Sequence, residues 1–299
     1  MNSKAKFFPF VSVVVNSHNG QDYINRCLKS ILIQSYKNFE IIFFDNKSDD
    51  NTKKLIKKFK NDKIKYFYSR KFLKLYNARR EAIKKTKGDL IAFLDIDDTW
   101  KKNKLQSQVK LFKNKNVGLS CTNYLIDNKI NKTRKKAFNF IPSGKITNEL
   151  LKKNFIGMCT LMIRKKAYNS LKKGFDPYYE VIGDYDLCLR LSENWNLSST
   201  QKVLSIYSWH SENLSNRKSV LNFKELIYWY KKNKSFKKYH NYQYLKKFSH
   251  FHLCQAYLFN KDIINALRNS RYLDLLDKLK IYFLTLIPLQ ILKKIKNLI

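Results

Sequence analysis

The sequence predicts an α/β fold, with a mostly parallel central sheet flanked by helices and a helical extension at the C-terminal end. Three observations predict it. Val11–Val15, Glu40–Phe44 and Asp89–Leu94 are nearly unbroken apolar runs, as in strands buried on both faces. Stretches with helical spacing separate these runs, which gives the alternating order of a doubly wound domain. From about Val220 onward the pattern turns helical, Lys-rich and aromatic.

Taken in order, Val11–Val15 is the first strand and Tyr23–Gln34 the first helix, with Tyr23, Cys27 and Ile31 at i, i+4 and i+8. Glu40–Phe44, Ile64–Tyr68 and Asp89–Leu94 follow as strands, with helices at Thr52–Lys60 and Tyr76–Lys87 between them. Val117–Ile126, Cys159–Arg164 and Val203–Trp209 read as further strands. Asp184–Trp195 reads as a helix whose apolar stripe is Leu187, Leu191 and Trp195. Asn128–Lys136, polar and densely like-charged, is expected to be a mobile loop. The expected organisation is one domain over residues 1–216, with halves at about 9–110 and 111–216, and a basic helical region over 217–299.

Composition narrows the class. Across 299 residues, 44% hydrophobic content is enough for a core, which excludes wholesale disorder. With 7 Gly and 4 Pro, a collagen-like or linker-rich chain is excluded as well. Lys and Arg number 60 against 23 acids, a net charge of +37, which suits a solvated lysine surface, an anionic membrane or a nucleic acid. The five cysteines show no zinc or disulfide spacing, which fits a reducing cytosol. The N-terminal stretch reads as a strand and not as a signal peptide, and no run reaches the ~20 apolar residues of a membrane span.

The scarce acids are concentrated. Eight of the 23 lie in Asp45–Asp50 (DNKSDD), Asp95–Asp98 (DIDD) and Asp184–Asp186 (DYD). The first two segments close apolar strands at their C-terminal ends, where open α/β sheets place a ligand crevice. Turn and cap chemistry also favours Asp at such positions. Three carboxylates within four residues repel one another unless a cation is present, and oxygen ligands favour Mg²⁺ or Mn²⁺ over zinc. The chain has no Gly-rich phosphate loop, so a metal bridge to a nucleotide diphosphate would take that role.

These segments resemble family 2 glycosyltransferases of the GT-A fold. The resemblance runs over VSVVVNSHNG, DNKSDDNT, GDLIAFLDIDDTWKKNKLQSQ, GDYDLCLRL and YSWHSENLS, and covers about residues 9–216. It implies an inverting transfer from a nucleotide-diphosphate sugar, UDP-linked by preference, to a cell-envelope glycan or lipid-linked acceptor. It also implies residue roles. Asp184 matches the catalytic base. Asn16, His18, Asp45 and Asn46 match the base-binding pocket, Arg79 a basic residue near the nucleotide, and Asp95 the first carboxylate of the D-x-D. Asp97, Asp98 and His210 match the metal or diphosphate site. Gly183 stands where the family has Glu, Arg80 and Asn46 where it has Asn and Asp, and Asn16 where it has Pro or Thr.

Rival classes fare worse. A nucleotidyltransferase would call for a Gly-rich basic loop after the first strand, and NSHNG has one Gly and no Lys or Arg. A nucleic-acid-binding protein is disfavoured because 50 of the 60 basic residues are Lys and no recognition motif appears, so no nucleic-acid partner is expected. Trp100 is expected as a core anchor. His240, His250 and His252 are expected on helix surfaces or in packing. Ile281–Leu292, twelve uncharged residues with Pro288 inside and lysines after, either packs as a terminal helix or docks on an anionic membrane. The expected location is cytoplasmic, peripheral on the inner face of the membrane.

Overall fold

Val11–Ser17, with its β-branched run, forms strand β1 and is buried along its whole length. It lies parallel between β2 (Phe39–Asp45) and β4 (Leu90–Phe93), which are equally buried. β3 (Ile64–Tyr68) adds to the outer side of β2 and is half exposed, as an edge strand should be. Beyond β4 the sheet becomes mixed through β5 (Thr99–Trp100), β6 (Val117–Asn128), β7 (Thr133–Lys136), β8 (Met162–Arg164) and β9 (Asn196–Trp209). Among the described residues, 7–288, the computed structural model has one nine-stranded sheet in the order β3-β2-β1-β4-β8-β6-β9-β5, with β7 on β6. The chain runs from β1 outward to β2 and β3, then returns to β4 on the other side of β1. That reversal opens a crevice at the C-terminal ends of β1 and β4.

Helices cover the sheet. These are α1 (Ile24–Leu32), α2 (Thr52–Lys57), α3 (Leu75–Lys84), α4 (Lys104–Val109), α5 (Thr147–Lys152), α6 (Lys165–Asn169) and α7 (Gly183–Ser192). α1 buries Ile24, Cys27, Leu28 and Ile31 in the same core as Val13, Val15, Ile41 and Phe43. Each aliphatic side chain so buried contributes about 1.5–3 kcal/mol. After α1, Gln34 ties the helix to the chain beyond DIDD: its Nε2 donates to the Lys101 carbonyl at 2.9 Å, and its Oε1 accepts from Leu105 N–H at 3.0 Å.

Three expectations are corrected. Asn128–Lys136 is not a mobile loop but the turn and return strand of a hairpin, with Asn128 opposite Thr133 and Leu125 opposite Lys136. Its positive charge is met by Asp127, which accepts from Lys129 Nζ at 2.6 Å and Arg134 Nε at 3.0 Å. The Arg134 and Lys129 hydrogen bonds hold the Asp127 carboxyl down to about 2. β9 starts seven residues before Val203, because Asn196–Thr200 pairs with β6 although its Ser and Thr residues carry no apolar alternation. Cys159 lies in a short 3₁₀ turn, and only Met162–Arg164 of that segment is strand.

The described residues divide into two compact units between His210 and Ser211. The second holds α8 (Leu214–Arg217), α9 (Ser219–Lys232), α10 (Tyr242–Phe259), α11 (Ile263–Ser270) and α12 (Leu275–Leu286). Leu253, Cys254, Tyr257, Leu258, Ala266, Leu273 and Ile281 form its core. α12 stops two residues before Pro288, and the lysines at 293, 294 and 296 lie outside the described residues. No helix among the described residues is long and apolar enough to cross a membrane. All five cysteines are free and buried, Cys27, Cys121, Cys159 and Cys188 in the first unit and Cys254 in the second.

Candidate active site

The site assembles where β4 ends. The two residues of β5, just after DIDD, pair antiparallel with β9, Thr99 opposite Ile206 and Trp100 opposite Ser205. This short ladder brings the end of β9 to the carboxylates. Asp98 Oδ1 accepts from Ser208 N–H at 2.8 Å, and Asp97 Oδ2 lies 2.9 Å from His210 Nε2. Trp100 anchors the turn from below as expected: it is 3% exposed and donates from Nε1 to the Cys159 carbonyl at 2.7 Å.

Arg26, on α1, was not singled out from the sequence. It donates to the backbone carbonyl of Asp97 and, at 3.2 Å, to Ser208 Oγ, so it pins the DIDD loop to β9 from outside the motif. Tyr23, one turn earlier, stacks on His210 with ring centroids 6.0 Å apart. No sequence pattern marks these contacts, because the partners lie more than seventy positions away.

The three carboxylates differ in environment. Asp95 is a third exposed and holds Arg79 at 2.5 Å, with Arg79 itself buried. Burial, and then the charge of Asp95, push the Asp97 carboxyl up, while His210 opposes them. Asp98 is 1% exposed. Burial, and then Asp97 and Asp95, push its carboxyl well above the usual carboxylate range. Such a cluster is short of positive charge. Asp97 and His210 offer two converging ligand atoms. Among the described residues no group of three or more His, Cys, Asp or Glu is arranged to hold a metal ion by itself. A hard cation there would take its remaining ligands from substrate oxygens.

α3 connects this cluster to Asp184. Tyr76 and Arg79 lie at i and i+3 on one face of the helix. Arg79 reaches Asp95, while the Tyr76 hydroxyl lies 2.8 Å from the Val181 carbonyl and 3.1 Å from Asp184 Oδ1. Asp184 sits in the first turn of α7, and Ile182 holds the N-cap position. Asp184 Oδ1 also accepts from Tyr185 N–H at 2.8 Å. A plain cap would have a lowered pKa, but burial pushes the Asp184 carboxyl up, with Arg79 acting against it. Asp186 turns away and pairs with Arg190 at 2.5 Å. The structure also accounts for Gly183: a Cβ there would meet the Tyr76 ring at 2.5 Å. A Glu at that position would displace Tyr76 from Asp184. Tyr76 could have been found from its spacing to Arg79.

The remaining residues gather at the ends of β1 and β2. Asn16 is 9% exposed and its Nδ2 is buried with no acceptor among the described residues. His18 approaches the Asn46 carbonyl through Nδ1 at 3.1 Å and meets the exposed ring of Phe72 edge-on, centroids 4.7 Å apart. Asn46 spends its amide on the backbone of Leu73: Nδ2 donates to Leu73 O at 2.8 Å, and Oδ1 accepts from Leu73 N–H at 3.0 Å. Asp45 is fully buried and accepts from Ser48 N–H at 2.8 Å and Tyr66 Oη at 2.7 Å. Asp45 and Asn46 therefore spend their side chains on the protein itself, while the Asn16 amide nitrogen has no acceptor among the described residues.

Residues 12–171 match the family model described as "Glycosyl transferase family 2". The chain is 32% identical over 219 residues to "UDP-Glc:alpha-D-GlcNAc-diphosphoundecaprenol beta-1,3-glucosyltransferase WfgD" of Escherichia coli, covering 72% of this chain and 82% of that protein. It is 29% identical over 221 residues to the "Putative teichuronic acid biosynthesis glycosyltransferase TuaG" of Bacillus subtilis, covering 67% and 87%. Among solved structures it resembles the mannosyltransferase PcManGT of Pyrobaculum calidifontis, in complex with GDP-Man and Mn²⁺, with TM-score 0.64 at 15% identity over 89% of this chain and 76% of that one. It likewise resembles S. aureus TarS 1-349 in complex with UDP, with TM-score 0.59 at 15% identity over 92% and 87%. At those identities the likeness shows the fold, which is the GT-A type expected from the motifs. The family match spans more than half of the sequence and includes β1, β2, β4 and the DIDD turn, and by that match the chain belongs to glycosyl transferase family 2.

Proposed function

We propose that this enzyme moves a sugar, with inversion, from a UDP-sugar to a hydroxyl of a polyprenyl-diphosphate-linked cell-envelope glycan. The observation that carries the mechanism is the pair Tyr76 and Arg79, which holds Asp184 and Asp95 from one helix face. Asp184 is the base: it takes the proton of the acceptor hydroxyl as that oxygen attacks the anomeric carbon. Burial raises the basicity of its carboxylate, which suits that task. Arg79 holds Asp95 toward the donor ribose. Asp97 and His210, with Asp98 beside them, would hold Mg²⁺ or Mn²⁺, which would supply charge stabilisation to the departing diphosphate. Arg26 holds the loop that carries Asp97.

Asn16 and His18 take the base. The unpartnered Nδ2 of Asn16 suits a carbonyl acceptor such as those of uracil, and the E. coli relative named for a UDP-Glc donor supports the same choice. That relative's diphosphoundecaprenol acceptor supports a lipid-linked acceptor here, with the enzyme working at the inner face of the membrane.

The test is release of nucleoside diphosphate over a panel of UDP- and GDP-sugars, with undecaprenyl-diphosphate-GlcNAc as acceptor. UDP release that depends on the acceptor is expected. Pyrophosphate release, or release from GDP-sugars alone, would overturn the donor assignment.

A further inference from the structure

The last described helix is amphipathic in an inverted sense. α12 turns Asp277 and Ile281 inward, 8% and 0% exposed, while its large apolar side chains face out. Leu275 and Leu276 are 71% exposed, Phe283 is 64% and Leu286 is 80% exposed, with Leu279 and Tyr282 between them. At about 100° per residue, positions 275, 276, 279, 282, 283 and 286 form one stripe roughly 120° wide. Lys278 and Lys280 fall on its two borders. The inward acid is accounted for, since Asp277 accepts from Lys280 Nζ at 2.7 Å and pairs with Lys247 at 3.5 Å. Ile263 and Ile264 of α11, and Tyr272 between the two helices, are exposed as well. Large apolar residues on one stripe are the kind of patch that marks an interaction surface.

Charge decides what covers it. Residues 211–299 hold 18 Lys and Arg against five acids. Two copies of so basic a unit repel each other, whereas an anionic surface attracts it. The helix is twelve residues long, which spans only ~18 Å against the ~30 Å of a hydrocarbon core. It can therefore lie in a bilayer interface but not cross it. The sequence beyond it, residues 289–299, adds three lysines, six Leu or Ile and no acid.

We infer that the outward stripe of α12 is a docking face for an anionic phospholipid bilayer, with its leucines and Phe283 in the headgroup boundary. The inference deepens the proposed use of a lipid-linked acceptor and can be tested without donor or acceptor. The full chain is sedimented with vesicles of equimolar phosphatidylglycerol and phosphatidylcholine, and with phosphatidylcholine alone, at low salt and at roughly 0.5 M NaCl. Binding to the anionic vesicles at low salt is expected, reduced by salt and absent with phosphatidylcholine alone. The double variant Leu276→Ser/Phe283→Ser should partition about tenfold less or weaker still. Its UDP release from UDP-sugar in water should be unchanged. Leu279→Trp guards against misfolding: its binding should hold or rise, and its emission should shift blue when anionic vesicles are added.

Three vesicle results would overturn the docking face. They are a full chain that ignores anionic vesicles at low salt, a double variant that binds as tightly as the parent, and an unshifted emission in Leu279→Trp. Concentration-dependent dimerisation abolished by the double variant would assign the stripe to a second copy and also overturn it. None of these outcomes touches the UDP-sugar assignment, and a failed UDP-release panel leaves vesicle binding standing.

Discussion

Asp184 and Tyr76 show how much one hydroxyl and one missing Cβ can govern. Asp184→Asn keeps the shape of the site but cannot accept a proton. Turnover should fall by a factor of ~10² or more while UDP-sugar affinity holds. Turnover like that of the parent would remove Asp184 from the role. Tyr76→Phe is subtler. The hydroxyl stabilises the ionised form of Asp184, so its loss should raise that carboxyl further. In the proposed mechanism the carboxylate is the active form, so the acid limb of the kcat profile should then move to higher pH. A structural role alone would lower kcat at every pH without moving the limb. Gly183→Ala should move the limb in the same direction, since its Cβ would press on the Tyr76 ring at 2.5 Å.

At the scale of elements, α10 carries a titratable group the chemistry does not use. His250 is 5% exposed, its Nδ1 has no partner among the described residues, and its ring lies 4.8 Å from that of Tyr272. Burial, and then Lys246 and Lys231, push its pKa down to about 4. The folded form therefore binds its proton less readily than the unfolded chain, whose histidine titrates near ~6.5. Stability of this unit is full above that value and declines as pH falls toward 4. Thermal melts of His250→Phe should show a flatter dependence over that window, and an unchanged slope would clear His250. The elements also show what the sequence discloses. β1, β2 and β4 were legible because both faces are buried, so the apolar run itself is the signal. Asn196–Thr200 was not, because its strand character comes from pairing with Val117–Thr122 and not from apolar alternation. The hairpin at 128–136 was misjudged for a related reason: its charge is balanced by Asp127, one residue upstream of the run.

The whole molecule decides the proposed metal site. Asp97 and His210 are 113 positions apart, and the pairing of β5 with β9, together with Arg26, brings them side by side. Motif order pointed to both residues, but the ladder that unites them is two residues long and has no pattern of its own. Chelation by EDTA should abolish binding of UDP-sugar by the full chain, and Mg²⁺ or Mn²⁺ should restore it. Undiminished binding in EDTA would mean the diphosphate is held by Arg and Lys alone. Arg26→Met should weaken the response to added metal without changing the fold, because the loop carrying Asp97 loses its outer tether.

The buried thiols have a consequence of another kind. Four sit in the first unit and Cys254 alone in the second, each with its ionisation suppressed by burial. An alkylating reagent should leave the native chain unmarked. In a denaturant series each unit would then report its own opening as mass: one tag for the second unit, four for the first. Separate steps of one and four would show that the units unfold independently, and a single jump of five that they cooperate.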